Sequence, residues 1–528
     1  MLNYKKQIDR HNLSAFIAQE ASYFEMKRLI AFKSNLADPF SIELNNAVVS
    51  SPTSSYKIDQ MLISYFGQVS YDFDEKYFLQ GVLRRDGSSK FINEKWGTFG
   101  SISGGWMLSE EAFMDDVSNV LNVLKLKSSY GVMGEQGGIG AYSGHDLFSV
   151  NNLNDNVSIV FESKGNPDLT WESAEQFQVG VEFELLKRIS GSVDYYSKNT
   201  NNLLFSKRIA PSKGYAIIQV NDGKMNNSGV EVVLDAQVVK SNDFNVDFGF
   251  NAAFESNEIT AMPIEDATGE QKLIDVSGLY GRSVGHSIFD IYTTEYVGVD
   301  SETGAAQWNR YYNELEDGTK EYIRDMASYM NENADRIGTI DNEVTTTYSL
   351  ATDKYIDKSP IPTVRGAFDL YVDYKGFGLT ALFGYSLGGY GYDANYATLM
   401  HDDQIGSNNW HKDIQNAWKQ EGDVTDVPAI TGSLTAPINY SDANRASDRF
   451  VTSTNYLALN NVVLSYDFSD RLLERVGIKG LRLYVSGDNL WVSTKRKGFY
   501  PNTSEVGASS RYQYVSLSSV TGGVNIKF

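Results

Sequence analysis

Over long stretches of this chain apolar and polar residues alternate one for one, the spacing that sends them to opposite faces of a β-strand. Phe244, Val246, Phe248, Phe250, Ala252 and Phe254 fall on one face, against Asn245, Asp247, Gly249, Asn251 and Glu255 on the other. Just before them, Val230, Val232, Leu234, Ala236 and Val238 oppose Glu231, Asp235 and Gln237. Only Lys240, Ser241, Asn242 and Asp243 lie between the two runs, so they predict a hairpin. Similar runs at 13–22, 61–73, 76–85, 97–107, 123–134, 174–185, 188–198, 365–374, 377–388, 455–468, 480–491 and 514–528 bring the expected total to about fourteen strands.

The links between runs sort by length. Tight ones fall around Asp74, Leu186, Asn242 and Lys375, while those near 135–170, 199–225, 256–361 and 389–450 are long and polar. The link at 108–122 is intermediate, and 470–479 suggests a helical turn. Short turns alternating with long loops are the habit of outer-membrane barrels, whose short turns face the periplasm. On this count Phe528 ends on the short-turn side. The segment 256–361 is too long for a featureless loop and predicts a further strand pair around Ile288–Val299 and Ala306–Tyr312.

Composition agrees. The chain has 33 Tyr and 27 Phe but only 10 Pro, a mixture that suits pleated surfaces. With 46 Lys+Arg against 67 Asp+Glu, the formal charge of -21 repels phosphates and argues against a nucleic-acid partner. The absence of Cys excludes disulfides, thiolate metal sites and a Cys nucleophile. No stretch approaches the ~20 apolar residues of a membrane-spanning helix, a test to which a barrel is blind. The opening MLNYKKQIDRHNLSAF carries no secretory h-region, so the expectation is that the chain begins inside a barrel whose first part lies elsewhere.

Candidate chemistry adds little. Gly384-Tyr385-Ser386-Leu387-Gly388 fits G-x-S-x-G, but Ser386 lies inside an alternating run with no helix after it. Gly137-Gly138-Ile139-Gly140-Ala141-Tyr142 lacks the residues of a phosphate loop and reads as flexible. His401 and His411 are not at zinc-helix spacing, and Asp402, Asp403, Asp423 and Asp426 read as solvated loop acids rather than a Ca²⁺ site. Carboxylate pairs suited to glycoside hydrolysis carry no information among 67 acids. Tyr195, Tyr196, Trp106 and Trp491 suit the aromatic girdles of a membrane barrel. The final Gly523-Val524-Asn525-Ile526-Lys527-Phe528 resembles the C-terminal signal read by the barrel-insertion machinery, through Val524, Ile526 and Phe528.

Several phrases together resemble the SusC/RagA family of TonB-dependent outer-membrane receptors, in its C-terminal barrel region. They include RRDGSSKF (Arg84–Phe91), WGTFGSISGGWMLSEEAFM (Trp96–Met114), LKSSYGVMGEQ (Leu126–Gln136), NPDLTWESAEQFQVGVEF (Asn166–Phe183) and RISGSVDYYSKNTNNLL (Arg188–Leu204). MNNSGVEVVLDA (Met225–Ala236), YVGVDSETG (Tyr296–Gly304), NYLALNNVVLSYDFS (Asn455–Ser469) and LRLYVSGDNLWVSTKRKGFYP (Leu481–Pro501) continue the series.

The resemblance implies a 22-stranded barrel filled by an N-terminal plug, importing glycans, peptides or similar large nutrients. It also implies a SusD-like surface lipoprotein as lid and the TonB complex as energy source. The expectation is therefore an all-β fold, an antiparallel transmembrane β-barrel present in part, about 14 of 22 strands, with the plug absent. Residues 1–528 then form the C-terminal portion of the barrel, in contact with outer-membrane lipid, with no catalytic, cofactor or metal residue assigned. Such a portion alone leaves two open strand edges and is expected not to close a wall of the family's size. The alternatives are a complete smaller barrel acting as a passive channel, and a secreted β-rich protein that binds or cleaves glycans.

Overall fold

The computed structural model describes residues 1–209, 211–265, 269–400, 409–430, 440–469, 473, 477–497 and 516–528. Fifteen strands join in one sheet: β1 (Leu2–Ile8), β2 (His11–Ile30), β3 (Ser54–Phe73), β4 (Tyr77–Ser88), β5 (Trp96–Met107), β6 (Leu121–Glu135), β7 (Glu172–Leu185), β8 (Ile189–Asn201), β9 (Lys224–Lys240), β10 (Phe244–Ala261), β11 (Val364–Tyr374), β12 (Phe377–Leu387), β13 (Tyr456–Asp467), β14 (Gly480–Thr494) and β15 (Ser519–Lys527). Each pairs antiparallel with the next, an uninterrupted up-and-down meander with β1 and β15 at its two edges.

Fourteen of these strands coincide with the predicted runs. The fifteenth, β1, escapes the alternation rule because Lys6 stands on the face that Leu2, Tyr4 and Ile8 share, opposite Leu13. The final strand begins at Ser519, later than the run at 514–528 suggests.

The register makes two chemically distinct faces. Following partners from strand to strand, Leu185, Ile189, Ala236, Phe248, Leu370, Ala381, Val462, Gly487 and Val520 form one apolar row. The adjacent row runs Glu184, Ser190, Asp235, Gly249, Asp369, Leu382, Asn461, Asp488 and Ser519, on the opposite face. A one-residue slip at any strand would exchange the two sets, so the pattern itself pins the register.

Besides irregularities near strand ends at Asn122 and Thr260, two bulges modify it. One removes Val238 from the ladder, so that Val239 rather than Val238 pairs with Val246, which corrects the sequence reading of that run. The other extrudes Asn460 between the pairs Leu459–Trp491 and Asn461–Asp488.

The apolar face is a band of limited height. From Phe244 to Phe254 about ten residues rise ~3.4 Å each on strands tilted ~40°, or about 26 Å, close to the ~25 Å band of a transmembrane barrel. Above Phe254 the same face turns polar, with rows Ser197–Ser228–Ser256 and Asn199–Asn226–Glu258, where Asn226 donates to Asn199 Oδ1 at 2.7 Å. Aromatic rings mark the margins. Phe73, Tyr77 and Trp106 stack in series at 6.4 and 6.3 Å near the tight turns, and Tyr65 stacks on Trp96 at 6.3 Å near the other end.

Tyr195, Trp106 and Trp491 lie on the apolar face. Tyr196 does not: consecutive strand residues point opposite ways, and Tyr196 faces inward opposite Gly229.

Tight turns close the strands at one end. At Leu186–Lys187 and Asp74–Glu75 both central residues have positive φ, the mirror-image geometry that matches strand twist. At the other end the long connections fold on themselves, and the buried clusters of the molecule are found there rather than under the sheet. Residues 262–363 contain a separate four-stranded sheet of Tyr296–Val299, Ala306–Glu314, Lys320–Tyr322 and Thr339–Thr345. The expected strand pair is therefore present around Ala306, but it starts at Tyr296 and adds nothing to the fifteen-stranded sheet.

Candidate functional site: the inner wall and its rim

The polar face carries ion pairs fixed by the register. Lys127 on β6 reaches Asp194 on β8 at 2.9 Å and Glu182 on β7 at 3.0 Å, passing over Gly180, where a β-carbon would meet both the lysine and Asp194. Asp194 stands directly opposite Glu231, a like-charge pair that Lys127 offsets. Further round the wall, Arg365 Nη2 pairs with Glu255 at 2.7 Å, and Asn461 donates to Asp488 at 2.7 Å.

Near the long-link end of β3 and β4, Arg84 Nε donates to both carboxylate oxygens of Asp86 at 2.8 Å, and Nη2 donates to Ser64 Oγ at 2.9 Å. Its guanidinium also lies 5.0 Å over the Phe66 ring. Above this group Phe91, Ile139, Leu169 and Trp171 form a buried cluster, with Phe99 packed edge-on against Trp171 at 5.5 Å. Ile139 is 2 % exposed, so the glycine-rich stretch around it is a packed corner of this rim and not the flexible loop its composition suggests.

The two longest connections interlock. Tyr296 N–H donates to Asp448 Oδ1 at 2.7 Å, Tyr348 OH to the Ala446 carbonyl at 2.7 Å, and Trp418 Nε1 to the Ser301 carbonyl at 3.0 Å. Arg449 lies between the Tyr296 and Phe450 rings, 5.2 and 4.7 Å from their centres. Burial pushes the Asp448 carboxyl up, only partly opposed by the Tyr296 N–H. Burial acts the same way on Glu295, yet hydrogen bonds from Tyr311 and Asn309 and the Lys354 ammonium outweigh it and leave that carboxyl below its ordinary value. A third connection joins through Lys497, whose Nζ donates to Asp413 Oδ2 at 2.6 Å beside the Tyr396 hydroxyl.

The motifs singled out in sequence take structural places. Ser386 is the penultimate residue of β12, held in the ladder opposite Arg365 and Tyr456. His411 caps the turn Lys412–Asn416 by accepting from Asp413 N–H, and the Asp423 carboxylate accepts the Lys419 and Gln420 N–H groups. His401, Asp402 and Asp403 lie outside the described residues, as does most of 470–479. Among the described residues no group of three or more His, Cys, Asp or Glu stands ready to hold a metal ion. Val524 and Ile526 lie on the apolar face beside Leu483 and Leu481, and Phe528 follows at the open edge, largely exposed.

A sheet apolar on one face and charged on the other, with short turns at one end and packed loops at the other, has the pattern of a membrane β-barrel wall. A family model described as TonB dependent receptor-like, beta-barrel matches residues 12–490. The chain belongs to that family, and the family places it in the bacterial outer membrane.

As a TonB-dependent receptor barrel it is 27% identical over 538 residues to TonB-dependent receptor P39 of Formosa agariphila, a match covering 93% of this chain and 50% of that protein. It is also 27% identical over 513 residues to TonB-dependent receptor SusC of Bacteroides thetaiotaomicron, covering 95% of this chain and 47% of SusC. The chain thus spans about half the length of the curated relatives it matches. Among solved structures it resembles the RagAB peptide transporter, with a TM-score of 0.78 at 26% identity over 100% of this chain and 54% of that one. The SusC/RagA resemblance read from the sequence phrases is thereby confirmed.

Proposed function

We propose that residues 1–528 form the C-terminal portion of the barrel of an energised outer-membrane importer of glycans, peptides or similar large nutrients. In this reading the chain supplies wall and surface loops and performs no catalysis. The observation that carries it is the inner face, whose ion pairs line an aqueous path through a band of membrane height, within a family of TonB-dependent receptors. Energy coupling is assigned to the TonB complex acting through a plug, Val524, Ile526 and Phe528 to recognition by the insertion machinery, and the long links to the cell surface.

A SusD-like surface lipoprotein is the proposed lid. Support comes from the hairpin Leu147–Leu153 and Asn156–Ser163, whose one face presents Phe148, Val150, Val157 and Ile159, all more than half exposed. So much apolar surface at the tip of a polar rim suits a protein partner. Deleting the gene should abolish uptake of labelled oligosaccharides or peptides, and an uncoupler of the proton-motive force should do the same in the intact strain. Uptake indifferent to both treatments would refute energised import.

A further inference from the structure

The apolar face of β2 to β5 is hollowed into an open groove of about 1010 Å³. Three successive rows of the register build it. The lower two, Ala15–Val69–Gly81 and Ile17–Gly67–Leu83, are apolar throughout, and the upper one is Gln19–Tyr65–Arg85–Thr98. The groove is deep where glycine stands in place of a side chain. An added β-carbon at Gly81 would meet nothing within 4 Å, and one at Gly67 would lie 3.0 Å from the Phe16 carbonyl oxygen of β2. Gln68 and Ser101 also border the groove, but strand alternation points their side chains to the polar face.

The upper row differs from the two below it. Amide, phenol, guanidinium and hydroxyl stand side by side, each a hydrogen-bond donor, and none of these side chains forms a hydrogen bond or ion pair among the described residues. Arg85 is also placed in advance. Its guanidinium lies 5.7 Å over the Trp96 ring, which stacks on Tyr65 at 6.3 Å and sits so close over Gly87 that a β-carbon there would be 2.9 Å from three ring carbons. Eight residues separate Arg85 from Tyr77 at the lower aromatic margin, about 21 Å of height at ~3.4 Å per residue and ~40° of tilt. That sets the Arg85 backbone just inside the upper edge of a ~25 Å band, and its long side chain carries the charge to headgroup level.

We propose that the groove seats an acyl chain of an outer-leaflet lipid whose phosphate is bound by Arg85, with Gln19, Tyr65 and Thr98 as further donors. The groove continues the face that meets lipid, so its occupant comes from the membrane. Its division into apolar floor and donor rim is the division of such a lipid between chain and headgroup. A phosphate suits the rim better than a neutral headgroup, because guanidinium and phosphate form charge-assisted, often paired hydrogen bonds and no carboxylate competes for Arg85. The chain as a whole, at a formal charge of -21, repels anionic lipid, so a preference for it has to arise locally. The site follows from membrane placement alone and holds whatever the barrel transports.

The test places the whole barrel to which this portion is proposed to belong in phosphatidylcholine nanodiscs carrying a small fraction of brominated phosphatidic acid or, in parallel, brominated phosphatidylcholine. Quenching of tryptophan fluorescence is the readout, and the difference from Trp96→Phe isolates Trp96. Phosphatidic acid should be enriched beside Trp96 about 10-fold or more over phosphatidylcholine. Arg85→Gln should remove that preference, and Gly81→Leu, which fills the groove, should weaken it several-fold. Heat-modifiable migration confirms that each variant is folded. Equal quenching by the two lipids, or a preference unchanged in Arg85→Gln or Gly81→Leu, would overturn the proposal. So would loss of the preference on adding inorganic phosphate, which would mark a site for the free ion. In native outer membranes a photo-crosslinker at position 83 should capture lipid, and capture of a polypeptide there would give the groove to a protein partner instead.

Discussion

The most direct consequence of the two-faced wall concerns Phe248. It lies on the apolar face in the row with Ala236 and Leu370, four residues above Phe244 at the lower margin of the band. At ~3.4 Å per residue and ~40° of tilt that is about 10 Å into a band ~25 Å high, near the membrane centre. Arginine at that depth costs ~2–4 kcal/mol, whereas near an interface the cost is ~0–1 kcal/mol. At 1.4 kcal/mol per factor of ten, Phe248→Arg should shift the folding equilibrium in lipid by roughly 30- to 700-fold. Phe254→Arg, at the upper margin, should shift it only a few-fold. Asn251→Arg, on the inner face between Val233 and Ala367, should have little effect.

The assay is urea-dependent folding into vesicles of the whole barrel to which this portion is proposed to belong, read by heat-modifiable migration and tryptophan fluorescence. Phe248→Ala serves as a control for lost packing. Equal losses at positions 248 and 251, or a ranking that ignores depth, would refute the assignment of the two faces.

Other expectations follow from single sites. At the tight turn between β11 and β12, Gly376 has φ 91° and an added β-carbon would lie 2.6 Å from the Asp467 carbonyl oxygen, so Gly376→Ala should cost at least about 1–2 kcal/mol in the same folding assay. The Lys497 ammonium, with the Tyr396 hydroxyl, holds the Asp413 carboxyl below its ordinary value. A depressed carboxyl contributes stability above its unfolded pKa near ~4, and the contribution fades as pH falls through the folded value. Amide protection in residues 409–416, taken relative to the intrinsic exchange rate at each pH, should therefore be high at neutral pH and fall below about pH 4, while in Asp413→Asn it should be low at both. Trp308 is 1 % exposed at the centre of the loop sheet, so Trp308→Ala should destabilise that unit by ~3–5 kcal/mol, exposing 296–345 to proteolysis while barrel migration is unchanged.

Period-two alternation alone determined the strand order, the two faces and fourteen of fifteen strands here, because a barrel wall has lipid on one side and water on the other. Each residue's partner is then a solvent, and solvent preference is written locally. The sorting of link lengths was legible for the same reason, since tight turns need only a few residues with positive φ. Where a local rule was interrupted the reading failed: Lys6 hid β1, and the bulge at Val238 displaced a residue that alternation had assigned to the outer face. Tyr196 was assigned outward by its composition, yet strand geometry turns it inward beside Tyr195.

What only the tertiary structure decided lies among residues distant in sequence. The interlocking of 262–363 with 388–455 and the burial of Ile139 under Trp171 depend on contacts between segments tens to more than a hundred residues apart. No periodicity encodes such contacts. They arise from side-chain shape and hydrogen-bond geometry at the loop ends, where neither lipid nor an open lumen imposes a pattern.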